Sequence, residues 1–139
     1  METIEEVALI GVDETALQAM LFLPPKPEKH IVLLHAPGGG RHDRAVKTVV
    51  RSLAGQNAAL LVPDLTDETE GWHGLKEDGF LASRAQAVIV WFLNKSDAKQ
   101  LSVCAIEPTP ALRSALEQLA GVERVIVLAA GETPRWETI

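Results

Sequence analysis

The chain has 139 residues, of which 47% are hydrophobic and only 4% aromatic, and its formal net charge is −6. This length suits a single domain over residues 1–139 with an aliphatic core, and the acidic balance argues against nucleic-acid and anionic-membrane partners. The longest apolar run, AVIVWFL, is far shorter than the roughly 20 residues that cross a bilayer.

Two strands open the chain, and helices alternate with strands after them. The central strands read as continuous apolar runs, which is typical of strands covered on both faces. The order is a hairpin followed by β-α-β-α-β-α-β. It predicts an α/β fold: a three-layer sandwich with a mostly parallel sheet of about six strands and an N-terminal antiparallel hairpin. We predict strands over 3–12, 15–23, 31–37, 58–64, 101–107 and 124–130, and helices with apolar stripes over 45–54, 81–92 and 111–119.

Four stretches resemble the first half of a known fold in their order and spacing. They are LQAMLFLPP, IVLLHAPGGGRHD, LLVPDLTDETE and FLASRAQAVIVWFL, within about residues 10–95. The pattern resembles the α/β-hydrolase fold, in particular its dienelactone-hydrolase-like branch, and later elements follow that fold by order alone. In such enzymes the loop after the third strand begins with a histidine and glycines, whose backbone N–H groups help to form the oxyanion hole.

The resemblance gives that place to His35 and to Gly38, Gly39 and Gly40. Ala36-Pro37 departs from the family pattern, which has a glycine after the histidine. The same glycines also suit a plain strand-to-helix turn, because only glycine adopts positive φ freely. Both interpretations stay open from the sequence.

The hydrolase pattern stops at the expected nucleophile. The resemblance places a G-x-S-x-G turn just after LSVCAI, where this chain has AIEPTP, with neither serine nor glycine. Pro108 and Pro110 fix their own φ and push the preceding residues towards extended backbone, so we predict a relaxed main chain at Glu107. No histidine follows Glu107, and the later strands that carry the other triad residues are not expected. A Ser-His-Asp triad is therefore not expected within the chain.

Glu107 and His35 remain as candidate catalytic residues. A carboxylate can act as a nucleophile or a base, but the sequence favours a solvated acid at the end of a strand for Glu107, because no catalytic partner is evident. The single cysteine, Cys104, lies in an apolar strand and is expected to be structural, since a reactive thiolate needs exposure. One cysteine and an acidic N-terminus, METIEEV, without a signal profile favour a cytoplasmic protein.

Polar residues after the predicted strands suggest a binding site. Arg41, His42 and Arg44 flank a predicted helix N-terminus, where free N–H groups attract a small carboxylate or phosphate. The alternative is solubilising charge, with Asp43 acting as the helix cap. Trp72 lies in an acidic loop, residues 66–79, where it covers a pocket or anchors the loop, and Trp136 raises the same question. The predicted ligand-binding residues are His35, Gly38, Gly39, Gly40, Arg41, His42, Asp64 and Trp72.

No metal and no cofactor are expected. His35, His42, Asp43, Asp64 and His73 lack a recognised ligand spacing. The last predicted strand, RVIVLAA, would form an exposed apolar edge. A second copy of the chain in a homodimer, or the C-terminal GETPRWETI folding back, would cover that edge.

Three functions remain. The first is a non-catalytic α/β-hydrolase-like protein that binds a small molecule or anion at the carboxyl edge of the sheet. The second is a hydrolase or esterase with a noncanonical or inter-subunit site, and the third is a dimeric interaction module.

Overall fold

The computed structural model describes residues 4–35, 43–53, 55–65 and 78–139. Within these ranges the strands are β1 (Ile4–Val12), β2 (Thr15–Leu23), β3 (Lys29–His35), β4 (Ala58–Pro63), β5 (Leu101–Ile106) and β6 (Val122–Leu128). The helices are α1 (Arg44–Leu53), α2 (Asp78–Ser96) and α3 (Pro110–Glu117), followed by a short 3₁₀ helix at Trp136–Thr138. The predicted order of elements is confirmed.

β1 and β2 form the predicted antiparallel hairpin. Val12 pairs with Thr15, so Asp13 and Glu14 alone make the turn. Both turn residues have positive φ, 47° and 64°. This is the pattern of a two-residue turn whose twist matches that of the strands.

The sheet is mixed, with the order β1-β2-β4-β3-β5-β6. β2 pairs antiparallel with β4, while β4, β3, β5 and β6 are parallel. The chain leaves β3 through α1 towards β4 on one side, and leaves β5 through α3 towards β6 on the other. The connections of the adjacent strands β3 and β5 therefore diverge.

Helices cover both faces of the sheet, which confirms the three-layer arrangement. α2 and α3 pack on one face together with the inward side chains of the hairpin, and Phe92 is the largest fully buried side chain there. α1 packs on the other face, where Trp136 and Ile139 join it. The cores are mainly aliphatic, as the composition predicts. No helix in the described ranges combines the length and hydropathy that crossing a membrane requires.

Caps and turns explain where the third helix and the last strand begin. Thr109 Oγ1 accepts a hydrogen bond from the N–H of Leu112 at 3.1 Å, and Pro110 takes the first helical position. α3 ends at Glu117, before the predicted 119, and β6 begins at Val122, before the predicted 124. Gly121 has φ 84° and turns the chain directly into β6, which explains the earlier start.

The C-terminal segment returns over the sheet beside β6. Thr138 O accepts a hydrogen bond from Arg124 Nη1 at 3.1 Å. Lys29 donates to Trp136 O, and its ammonium lies 4.6 Å from the centre of the Trp136 ring. Trp136 thus anchors this segment to the α1 face. β6 is the last strand of the described sheet, and the predicted homodimer through it stays a prediction.

Candidate functional site

The candidate site lies between the carboxyl ends of the neighbouring strands β3 and β5, a position called the crevice from here on. His35, the last residue of β3, is the register partner of Ile106, the last residue of β5. Glu107 follows Ile106 directly, so His35 and Glu107 lie at the same edge on neighbouring strands. Ligands of open α/β sheets bind where adjacent strands send their connections in opposite directions, as these two strands do.

Glu107 forms a strained turn between β5 and α3. Its φ is 49°, in the left-handed region that non-glycine residues rarely adopt. The prediction of a relaxed main chain at this junction is wrong. The ring of a following proline acts chiefly against the right-handed helical region, and Pro108 therefore does not exclude this conformation. The Glu107 N–H donates to Leu128 O at 2.8 Å, and this bond to β6 helps to fix the turn.

The Glu107 side chain is exposed. Within the described residues its carboxylate makes no hydrogen bond and no ion pair. An exposed carboxylate held by a strained backbone at a sheet edge can contact a bound molecule, as an acceptor of hydrogen bonds or as a base.

Asp43 brings a second carboxylate to the end of β3. Its Oδ1 accepts a hydrogen bond from the N–H of Ala45 at 2.9 Å, which confirms the predicted cap of α1. The same oxygen lies 3.2 Å from His35 Nδ1. This distance is short enough for an ion pair or a hydrogen bond. The ring is not oriented for a hydrogen bond, however, because an N–H on Nδ1 would not point at the oxygen. His35 Nδ1 is accordingly buried without a hydrogen-bond partner among the described residues.

Asp64 follows the end of β4, the other neighbour of β3. It is half-buried, and its N–H donates to Gln18 O at 2.8 Å. The structure therefore brings His35, Asp64 and Glu107 to one edge of the sheet. The other predicted ligand-binding residues lie outside the described residues: Gly38, Gly39, Gly40, Arg41, His42 and Trp72.

Cys104 lies inside an apolar strand, as the sequence predicts. It is fully buried, and this burial raises the pKa of its thiol to about 12, which is typical of a structural cysteine. In the parts of the chain that the structure describes, no three His, Cys, Asp or Glu side chains come together in a way that could hold a metal ion. His42 and His73, from the set considered for a metal, lie outside those parts.

No protein-family model matches this chain, and no curated protein matches it. Solved structures do match. A dienelactone hydrolase from Anabaena variabilis superposes with a TM-score of 0.64 at 17% identity, over 93% of this chain and 87% of the other. The chain has the α/β-hydrolase fold.

Two other matches support the same assignment. An esterase from Pyrococcus furiosus superposes with a TM-score of 0.72 at 13% identity, over 96% of this chain and 51% of the esterase. A dienelactone hydrolase-like promiscuous phosphotriesterase from metagenomic libraries superposes with a TM-score of 0.71 at 12% identity, over 92% of this chain and 59% of its own. This chain therefore spans little more than half the length of those two enzymes.

Within the α/β-hydrolase fold the β5–α3 junction is where a nucleophile is expected. At this junction the chain has Glu107, whose φ is 49°. Sequence reasoning located this position but missed its conformation, because AIEPTP contains none of the glycines that usually signal a sharp turn. It identified Asp43 as a cap but missed its contact with His35, which joins residues on either side of a connecting loop.

Proposed function

We propose that the chain binds a small molecule in the crevice between β3 and β5, and that it does so without serine-hydrolase catalysis. AIEPTP offers no serine at the position where the fold's nucleophile is expected. Glu107 and His35 are the contacts of the ligand in this proposal, with Asp64 at the margin of the site. A cytoplasmic location is part of the same proposal.

The backbone of Glu107 is the observation that carries the proposal. A non-glycine residue held in a sparsely populated conformation costs about 1–3 kcal/mol. Its φ of 49° places that strain at the crevice, directly beside an exposed carboxylate. Strain of this kind concentrates at ligand-binding and catalytic sites, because it holds a side chain in a direction that a relaxed chain does not provide.

The charged groups at the crevice bear on the charge of the ligand. Arg41 and His42, on which the expectation of a small carboxylate or phosphate depends, lie outside the described residues. The described groups at the crevice include two carboxylates, of Glu107 and Asp43. A screen must therefore compare small carboxylates and phosphates with neutral and cationic molecules of similar size.

Thermal-shift screening of the full chain tests the binding proposal. A ligand of the crevice is expected to raise the melting temperature, because it binds the folded state alone. Glu107→Gln should reduce this shift. Glu28→Gln is the matched control, because Glu28 is an exposed acid just before β3, at the opposite edge of the sheet. A ligand whose shift is equal in both variants binds elsewhere, and the absence of any hit across the three charge classes would count against the proposal.

A hydrolase with a carboxylate in place of the serine is the second candidate function. The strained turn at Glu107 favours it, because this turn is the feature that exposes a nucleophile in the α/β-hydrolase fold. The substrates to test come from the structurally similar proteins: carboxylic esters, dienelactones and phosphotriesters. Turnover that Glu107→Gln abolishes and Glu28→Gln preserves would establish this function in place of the non-catalytic one.

A further inference from the structure

The imidazole of His35 is the group of the crevice whose chemistry depends most on its surroundings. A neutral imidazole carries one proton, so one ring nitrogen donates a hydrogen bond and the other accepts one. Which nitrogen holds the proton is decided by the partner that the ring finds in the protein. His35 therefore offers a ligand either a donor or an acceptor, according to what lies beside Nδ1.

A carboxylate lies beside that nitrogen. Asp43 Oδ1 is 3.2 Å from His35 Nδ1, and 16% of the His35 side chain and 32% of the Asp43 side chain are exposed. Nδ1 itself is buried, with no hydrogen-bond partner among the described residues. The exposed part of the side chain thus belongs to other atoms. A buried N–H that lacks a partner is costly, and Asp43 Oδ1 is an acceptor within hydrogen-bond distance, with which a rotation of the ring would align the N–H.

The position of Asp43 is fixed independently of His35. Its Oδ1 accepts the N–H of Ala45, and its carbonyl accepts the N–H of Lys47 at 3.0 Å, as the first residue before α1. A carboxylate oxygen can accept more than one hydrogen bond. The helix therefore holds the acceptor in place, while β3 holds the imidazole at its carboxyl end.

We propose that Asp43 is a positioning residue, which keeps His35 in the tautomer with the proton on Nδ1 and so leaves Nε2 as an acceptor for the molecule bound between β3 and β5. The part of this proposal that concerns a ligand rests on the proposed function. The part that concerns the tautomer does not, since the tautomer is a property of the free protein. A nitrogen in this state accepts a hydrogen bond or a proton from a hydroxyl or amine group.

Nitrogen-15 NMR of the ring nitrogens in the ligand-free protein tests this directly. The chain has four histidines, and the loss of signals in His35→Gln assigns those of His35. The Nδ1–H form is expected to dominate in the native protein at a pH where the ring is neutral. In free histidine the Nε2–H form dominates. A ring held by Asp43 and a ring without a partner should therefore have opposite major forms. A majority of the Nε2–H form in the native protein would overturn the proposal.

Two variants separate the effect of the contact between Asp43 and His35 from the effect of the helix cap. Serine is as good a cap as aspartate but is too short to reach the imidazole, so Asp43→Ser should keep the fold and make Nε2–H the major form. Asp43→Asn keeps a cap and an acceptor oxygen without the charge, and should give an intermediate ratio. An unchanged tautomer ratio in folded Asp43→Ser would refute the role of Asp43, whatever the screen for ligands finds.

Discussion

The backbone N–H of Glu107 donates to the carbonyl oxygen of Leu128 at 2.8 Å. This bond joins the residue after β5 to the last residue of β6, and it forms although the φ of Glu107 is 49°. The pairing of the two strands therefore continues for one residue past the end of β5. The left-handed turn towards α3 occurs within that paired position, which keeps the exposed carboxylate at the edge of the sheet.

Replacing Glu107 with glycine should measure the strain at this turn. Glu107→Gly and Glu107→Ala both remove the carboxylate, but only glycine adopts a positive φ without a steric penalty. We expect the glycine variant to have a free energy of unfolding about 1 kcal/mol higher than that of the alanine variant. Urea denaturation measures the difference. Equal stability of the two variants would show that the turn is not strained in solution.

Among the glycines that the structure describes, Gly121 should tolerate replacement least. Its φ is 84°, and a Cβ at this position would lie 2.5 Å from Leu93 Cδ1. Gly121→Ala combines backbone strain with a steric clash, so we expect it to lower the free energy of unfolding by about 2 kcal/mol.

Gly131 provides the matched control for Gly121. Its φ is 90°, but a Cβ there meets nothing within 4 Å. Gly131→Ala carries the backbone strain alone, and we expect it to cost about 1 kcal/mol. If the two alanine variants unfold at the same urea concentration, Leu93 moves aside without cost and the clash contributes nothing.

Cys104 should make the protein less stable at high pH. Burial raises the pKa of its thiol from 9.0 to about 12. Above about pH 9 the unfolded thiol releases its proton while the folded one retains it, so the unfolded state binds fewer protons and stability falls as the pH rises towards 12. Cys104→Ala should show a smaller decline over this window when unfolding is followed by circular dichroism.

The same burial predicts the reactivity of the cysteine. The thiolate is the reactive form, so a disulfide reagent at pH 8 should label Cys104 slowly in the native protein and quickly in denaturant. Fast labelling of the folded protein would contradict the buried position. Because this is the single cysteine of the chain, the signal needs no further assignment.

His30 should reduce stability at mildly acidic pH. Burial lowers the pKa of its imidazole below the ordinary value of 6.5. As the pH falls below 6.5, the unfolded state takes up a proton that the folded state does not bind, so stability falls until the pH reaches the lowered pKa. The His30 ring lies 6.2 Å from the Phe92 ring, centre to centre.

His30→Phe removes the titrating group and keeps an aromatic ring beside Phe92. We expect a smaller loss of stability below pH 6.5 in this variant than in the native protein. A proton NMR titration of His30 gives an independent check, since its ring signals should shift at lower pH in the folded protein than in urea. Identical midpoints in the two conditions would contradict the prediction.

The element order could be predicted because it depends on local patterns. The apolar runs of β3, β4 and β5 mark strands buried on both faces, and the spacing of apolar residues marks the core side of each helix. The N-terminus of α3 depends on Thr109 and Pro110, which are adjacent in sequence and act on the first turn of the same helix. These interactions operate over a few residues, so the amino-acid sequence by itself determined them.

The candidate site at the edge of the sheet depended on tertiary structure. The φ of Glu107 follows from the pairing of β5 with β6 and the start of α3, and this overrides the preference that Pro108 imposes on it. His35 meets Asp43 because β3 and α1 are packed against each other, and no spacing in the sequence encodes the 3.2 Å between their side chains. The sequence thus determined which strands and helices form, whereas the tertiary structure decided the backbone strain and the side-chain contact at their ends, because both depend on residues that only the folded sheet brings together.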